Sequence, residues 1–100
     1  MRPIHLAQMD KLRPVVVLTR ESVVAFRQKI TVAPVTSTVR GGPAELPVGP
    51  ANGLESPSVV NLDNISTIDV SHLGQQVGYL LDSQENDLVR AIHAAFDLDD

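Results

Sequence analysis

One hundred residues with a net charge of −4, 43% of them hydrophobic but only three aromatic (Phe26, Tyr79 and Phe96), describe one domain spanning residues 1–100, with a core of Val, Leu, Ile and Ala. The absence of cysteine excludes disulfides and thiolate metal sites, and the three histidines, His5, His72 and His93, lack ligand-like spacing. No segment approaches the roughly 18 apolar residues of a membrane span, and the N-terminus lacks the order of a signal peptide, so a soluble, cytoplasmic protein is expected.

Ile4–Met9 reads as a short strand with imperfect alternation, ended by Asp10 and Lys11. Arg13–Thr19 is a second strand, apolar through its middle and therefore covered on both faces. The polar stretch 20–29 allows one helical turn. Ile30–Thr36 alternates β-branched residues and makes a third strand, in which Pro34 points to a bulge or an edge. Residues 41–57 contain four glycines and four prolines, which predicts loops around a short edge strand near Ala44–Val48.

Ser58–Leu62 and Asn64–Ile68 read as one long strand or two bent ones around Asp63 and Asn64. Val70–Leu73 predicts a helical turn stopped by Gly74, with Gln76–Leu81 as the last strand. Asp82-Ser83-Gln84-Glu85 opens a helix: Asp82 or Ser83 can cap it, and Glu85 can close a box back to Asp82. Leu88, Val89, Ile92, Ala95 and Phe96 share one face at helical spacing, which is expected to lie on the sheet. The chain is thus mainly β with a C-terminal helix, and the short strands suit a small barrel.

Charge and strand placement direct attention to one arginine. Residues 1–40 hold seven of the eight Lys and Arg residues against two acids, whereas residues 41–100 hold one against ten. A basic first half favours a phosphate backbone, while the negative total argues against indiscriminate coating of nucleic acid. Within that half, Arg13 opens the run Arg13-Pro14-Val15-Val16-Val17-Leu18-Thr19. Its backbone is pinned by Pro14 and by apolar residues that cannot move once packed. A bland alternative is a strand-end ion pair, which is common and contributes little. Thr36 read alone is an ordinary β-former, His5 alternates with Ile4 and Leu6 and reads as solvent-facing, and the glycines match no phosphate-cradling pattern.

Four segments in this order carry a resemblance: "RPVVVLT", then "ITVAPVTSTVR", then "SVVNLDNISTIDVSHLG", then the amphipathic C-terminal helix. Together they resemble the MazF/PemK family of toxin endoribonucleases over nearly the whole chain. The resemblance implies an SH3-like β-barrel, a homodimer, and metal-independent cleavage of single-stranded RNA at short sequences, with no cofactor. It places the catalytic arginine on Arg13 and the catalytic threonine on Thr36. It places RNA-lining positions on Ser37, Thr38 and Asn64. It also implies a cognate antitoxin whose flexible C-terminal segment lies across the same groove.

The residue types suit that chemistry. Attack by the RNA's own 2′-hydroxyl builds negative charge on the non-bridging oxygens of phosphorus, where a permanently charged planar fork and a neutral hydroxyl can both donate. Arginine is a poor base, so the 2′-hydroxyl proton must go elsewhere. Many relatives carry an acidic residue in a longer loop before the arginine, whereas only Asp10-Lys11-Leu12 stands here. That leaves Asp10 or His5 as substitutes and implies a more open groove. The alternative is a CcdB-like toxin that inhibits DNA gyrase by contact on the same barrel; those chains end in a tryptophan-containing helix tail, and no tryptophan is present here. An RNA-binding barrel without catalysis is disfavoured because base-stacking aromatics are nearly absent.

Overall fold

The computed structural model describes residues 1–98. Seven strands run in the order β1 (Arg2–Gln8), β2 (Leu12–Val17), β3 (Lys29–Thr36), β4 (Glu45–Val48), β5 (Ser58–Asn61), β6 (Ser66–Asp69) and β7 (Leu73–Leu80). The one-turn helix α1 (Glu21–Val24) follows β2, and α2 (Glu85–Phe96) is the last element of the described residues. Side by side the strands lie β4-β5-β3-β2-β1-β7, and every pairing is antiparallel. The sheet curls into a half-barrel, the SH3-like architecture expected from the sequence, with β4 and β7 as its ends.

β3 shows how the curl arises. One edge pairs with β2, while the other is shared: β6 takes Lys29–Val32 and β5 takes Val35 and Thr36. Pro34 falls in the interval between them and pairs with Val15 of β2 without a register shift, so the expected bulge is not found. The Thr31 carbonyl accepts from Leu18 on the β2 side. By the two-residue period Pro34 then faces the opposite edge, where no strand needs the N–H it lacks.

The core follows from the same alternation. Ile4, Val16, Ala33, Val35, Leu46, Val60 and Leu80 fill the concave face, and α2 lays Leu88 and Ala91 onto them. Burying a side chain the size of Leu88 contributes about 2 kcal/mol. Val15, Val17, Ile30 and Val32 form a second cluster with Ala7 on the other face, flanked by Val24 of α1 and by Ile68 and Leu73. Both faces of β2 are therefore covered, as its apolar middle predicts.

Three expectations need correction. Gly74 lies inside β7 and does not stop a helix; the turn before it, Val70–His72, is a 3-10 turn capped by Asp69, whose carboxylate accepts from Ser71 N–H. The bonds from Ser71 hold the Asp69 carboxyl below its usual range. Asp82, Ser83 and Gln84 form a 3-10 turn leading into α2, and neither Asp82 nor Ser83 caps it. Instead the Gln84 side chain accepts from Leu81 N–H, and Glu85 pairs with Arg2 at 2.7 Å. The helix is also rotated from the expected stripe: Leu88, Ala91, Ile92 and Ala95 face the core, while Val89 and Phe96 are exposed. The missing cue was Ala91, whose small side chain fits closest to the sheet.

Candidate active site

The β2–β3 ladder brings the two predicted catalytic residues together. Val15 pairs with Pro34 and Val16 with Ala33, so the same register continued by two residues sets Arg13 level with Thr36. Arg13 is held from its other side by pairing with Ala7 of β1, and Thr36 by pairing with Val59 of β5. Each residue is thus fixed at the end of a strand with neighbours on both edges, the rigid mounting that a preorganised donor needs.

Arg13 is largely enclosed, with 21% of its side chain exposed. Its Nη2 donates to Asp10 Oδ2 at 3.0 Å, while its Nε is buried without a protein partner. A buried N–H left unpaired costs roughly 1–3 kcal/mol, a cost that an arriving acceptor relieves. The Thr36 hydroxyl oxygen accepts from Thr38 N–H at 3.1 Å, which fixes the oxygen and leaves its proton free to donate. That bond also bends the chain after β3 into the loop that carries Ser37 and Thr38.

Two adjoining pockets meet at these residues. The larger, about 520 Å³, is lined by Arg13, Thr36, Ser37 and Thr38 and closed by Leu54, Glu55 and Ser56 from the β4–β5 loop. The smaller, about 210 Å³, is lined by Arg13, Pro34, Thr36, Thr38, Arg40, Asn61 and Asn64. Arg13, Thr36 and Thr38 belong to both and form the ridge between them. All five predicted site residues therefore converge, with Ser37 in the larger pocket and Asn64 in the smaller.

The two groups considered as proton acceptors part company. Asp10 is in contact with Arg13. His5 instead lines a separate groove of about 480 Å³ with Arg2, Thr19 and Arg20, and its Nδ1–H donates to the Gly74 carbonyl at 2.9 Å. It sits opposite Val15, two residue pairs along the β1–β2 ladder from Arg13, and lines a groove that Arg13 does not enter, which removes it as a base. Sequence reasoning missed Arg40, Asn61 and Glu55. Arg40 carried a signal in the basic first half, but only the fold sets it beside Arg13.

Residues 3–96 match the family model described as the PemK-like, MazF-like toxin of type II toxin-antitoxin systems. The chain belongs to the MazF/PemK toxin family. It is 60% identical over 99 residues to endoribonuclease MazF3 of Mycobacterium tuberculosis, covering 99% of this chain and 96% of that one. The solved Mycobacterium tuberculosis toxin MazF-mt6 superposes with a TM-score of 0.96 at 59% identity, over 98% of this chain and 99% of the other. A mycobacterial endoribonuclease solved in complex with its cognate antitoxin shares the fold at a TM-score of 0.86 and 21% identity, over 97% of this chain and 93% of that one. The MazF/PemK fold thus accounts for the whole described chain, and the CcdB-like alternative is not favoured.

Proposed function

We propose that the protein is the toxin of a type II toxin-antitoxin pair, a cytoplasmic endoribonuclease that cuts single-stranded RNA at short sequences by attack of the 2′-hydroxyl. The names of its relatives support the class of activity. The observation that carries the mechanism is the shared ridge: a fixed guanidinium with an unengaged Nε, level with a threonine hydroxyl, between two pockets that a strand can cross. With the scissile phosphate on that ridge, Arg13 and Thr36 donate to the non-bridging oxygens as their charge grows. The 2′-oxygen bonds to phosphorus as its proton passes to water, and the P–O5′ bond breaks as the departing 5′-oxygen takes a proton from water, leaving a 2′,3′-cyclic phosphate upstream and a 5′-hydroxyl downstream. Asp10 holds the fork at its angle. A permanent cation at the reacting phosphate supplies the charge that a metal would otherwise bring.

Incubating the purified protein with a mixed-sequence RNA in EDTA tests the reading. Discrete cuts bearing a cyclic phosphate and a 5′-hydroxyl are expected. Absence of cleavage, or 3′-hydroxyl and 5′-phosphate ends, would count against it.

The partners follow from the same groove. A cognate antitoxin with a flexible C-terminal segment would occupy the two pockets in place of RNA, and the toxin would act as a homodimer. Base reading falls to Ser37, Thr38 and Asn64, because Asp10-Lys11-Leu12 is too short to fold over flanking nucleotides. The Asn64 amide has no side-chain hydrogen bond within the described residues and can both donate to and accept from a base edge. Asn64→Ala is expected to relax or shift the preferred sequence more than it slows the best substrate, since phosphate contacts persist. Sequencing the cut sites of both proteins on one long RNA measures this; an unchanged preference would place base reading elsewhere.

A further inference from the structure

The smaller pocket is chemically one-sided. Its lining holds two guanidiniums, Arg13 and Arg40, and no carboxylate. Two of its side-chain acceptors are engaged: Asn61 Oδ1 accepts from Asp63 N–H at 3.0 Å, and Thr36 Oγ1 accepts from Thr38 N–H, while the Thr38 hydroxyl and the Asn64 amide stay open among the described residues. Spare donors remain: Arg13 gives Nη2 to Asp10 but its buried Nε has no partner, and the Arg40 guanidinium forms no side-chain bond or ion pair among the described residues. A pocket with spare donors, two cations and no carboxylate in its lining selects an anion.

Arg40 is exposed and sits on a loop, where a long side chain would ordinarily wander. Its backbone, however, is held from the neighbouring strand. The Glu45 carboxylate, on β4, accepts from Arg40 N–H at 3.1 Å and from Gly41 N–H at 2.8 Å. Gly41 is in the left-handed region at φ 84°, which glycine adopts without strain and which turns the chain back toward Glu45. Three separate features thus fix where the Arg40 side chain starts.

Resting on the endoribonuclease reading above, we propose that Arg40 and Arg13 form a second phosphate subsite for the RNA strand, next to the scissile position, and that Glu45 is the positioning residue that presents Arg40 to it. The subsite binds the strand and keeps it in register; it takes no part in the proton transfers. Glu45 binds backbone N–H groups and lies outside the pocket lining, so the Arg40 guanidinium is left unpaired for a phosphate.

Binding of a single-stranded oligonucleotide that spans a mapped cut site, with a 2′-deoxy sugar there to prevent cleavage, provides the test when measured across a salt series. Arg40→Ala should weaken binding about tenfold at low salt and reduce the salt slope by about 0.7, the value for one lost phosphate contact on a single strand. Arg40→Lys should restore most of the slope. Glu45→Ala should weaken binding in the wild-type background yet have little effect when added to Arg40→Ala, because it acts only through Arg40. Should Glu45→Ala fail to fold, the milder Glu45→Gln serves in the same cycle. An unchanged slope in Arg40→Ala overturns the subsite, and additive losses in the double variant overturn the role of Glu45. A wild-type chain that cuts RNA normally while either result is found would leave the endoribonuclease reading standing and remove this one; a wild-type chain that neither cuts nor binds removes both.

Discussion

Arg13→Lys is expected to keep the fold and lose cleavage by on the order of 10²-fold or more, the loss associated with one preorganised donor at a developing anion. Both side chains are cationic, so the difference isolates geometry. The guanidinium reaches Asp10 through Nη2 and keeps N–H groups to spare, Nε among them, so one rigid plane can hold Asp10 and donate to phosphate together. An ammonium is a single point: if it pairs with Asp10 it leaves the phosphate, and if it turns to the phosphate it releases Asp10. Little stability should change, because the ion pair with the exposed Asp10 is of the surface kind. Single-turnover cleavage beside a thermal melt measures both quantities. Near-normal cleavage by the lysine variant would remove Arg13 from the catalytic role.

A second large effect is expected far from the chemistry. Gly78→Ala should destabilise the protein by about 3 kcal/mol or more, which for a domain of this size lowers Tm by at least about 12 °C. A Cβ at Gly78 would lie inside the van der Waals envelope of the Asn52 carbonyl oxygen, 2.7 Å from its carbon and 3.1 Å from Gly53 Cα. The obstacle is backbone, and it cannot easily retreat. Asn52 is buried, donates to the Tyr79 carbonyl at 3.0 Å and to Gln84 Oε1 at 2.7 Å, and accepts from Gly49 N–H. Gly53 beside it is left-handed at φ 87° and equally pressed against Val77 and Gly78. Because this turn leads straight into Leu54–Ser56, which close the larger pocket, cleavage should fall as well in whatever fraction remains folded. Chemical denaturation gives the answer, and a loss under about 1 kcal/mol would show that the turn is free to shift.

These two predictions differ in how much of them the sequence discloses. Alternating β-branched residues announce β2 and β3, and the Gly- and Pro-rich stretch announces the loops around β4, because those signals are local. Arg13 and Thr36 were legible as strand-end polar residues within a family pattern. What stayed hidden depends on close approach between distant segments. Gly74 resembles a helix stop in one dimension, yet its role is to let β7 pass within reach of the Leu6 carbonyl, where a Cβ would sit at 3.2 Å. The inward face of α2 was misjudged because apolar size suggested Phe96, whereas the short distance to the sheet selects Ala91. Arg40 and Asn61 join the site only because the β3–β4 loop and the turn after β5 meet over Pro34. No periodicity records that meeting.

One end of the curled sheet bears on how such a protein survives its own accumulation. A terminal strand normally offers a row of open N–H groups on which a second chain can polymerise. In β4 the Ala44 carbonyl points to Leu62, so Leu46 and Val48 also turn toward β5 while Glu45 and Pro47 turn outward. The Glu45 N–H is consumed by the Gly42 carbonyl, Pro47 has none, and the Pro47 carbonyl is within 3.5 Å of Gln84 Nε2. This rim therefore has no donor with which to recruit a foreign strand. Copies of the chain are kept from stacking edge to edge there, and an extended peptide finds no N–H on that rim with which to lengthen the sheet.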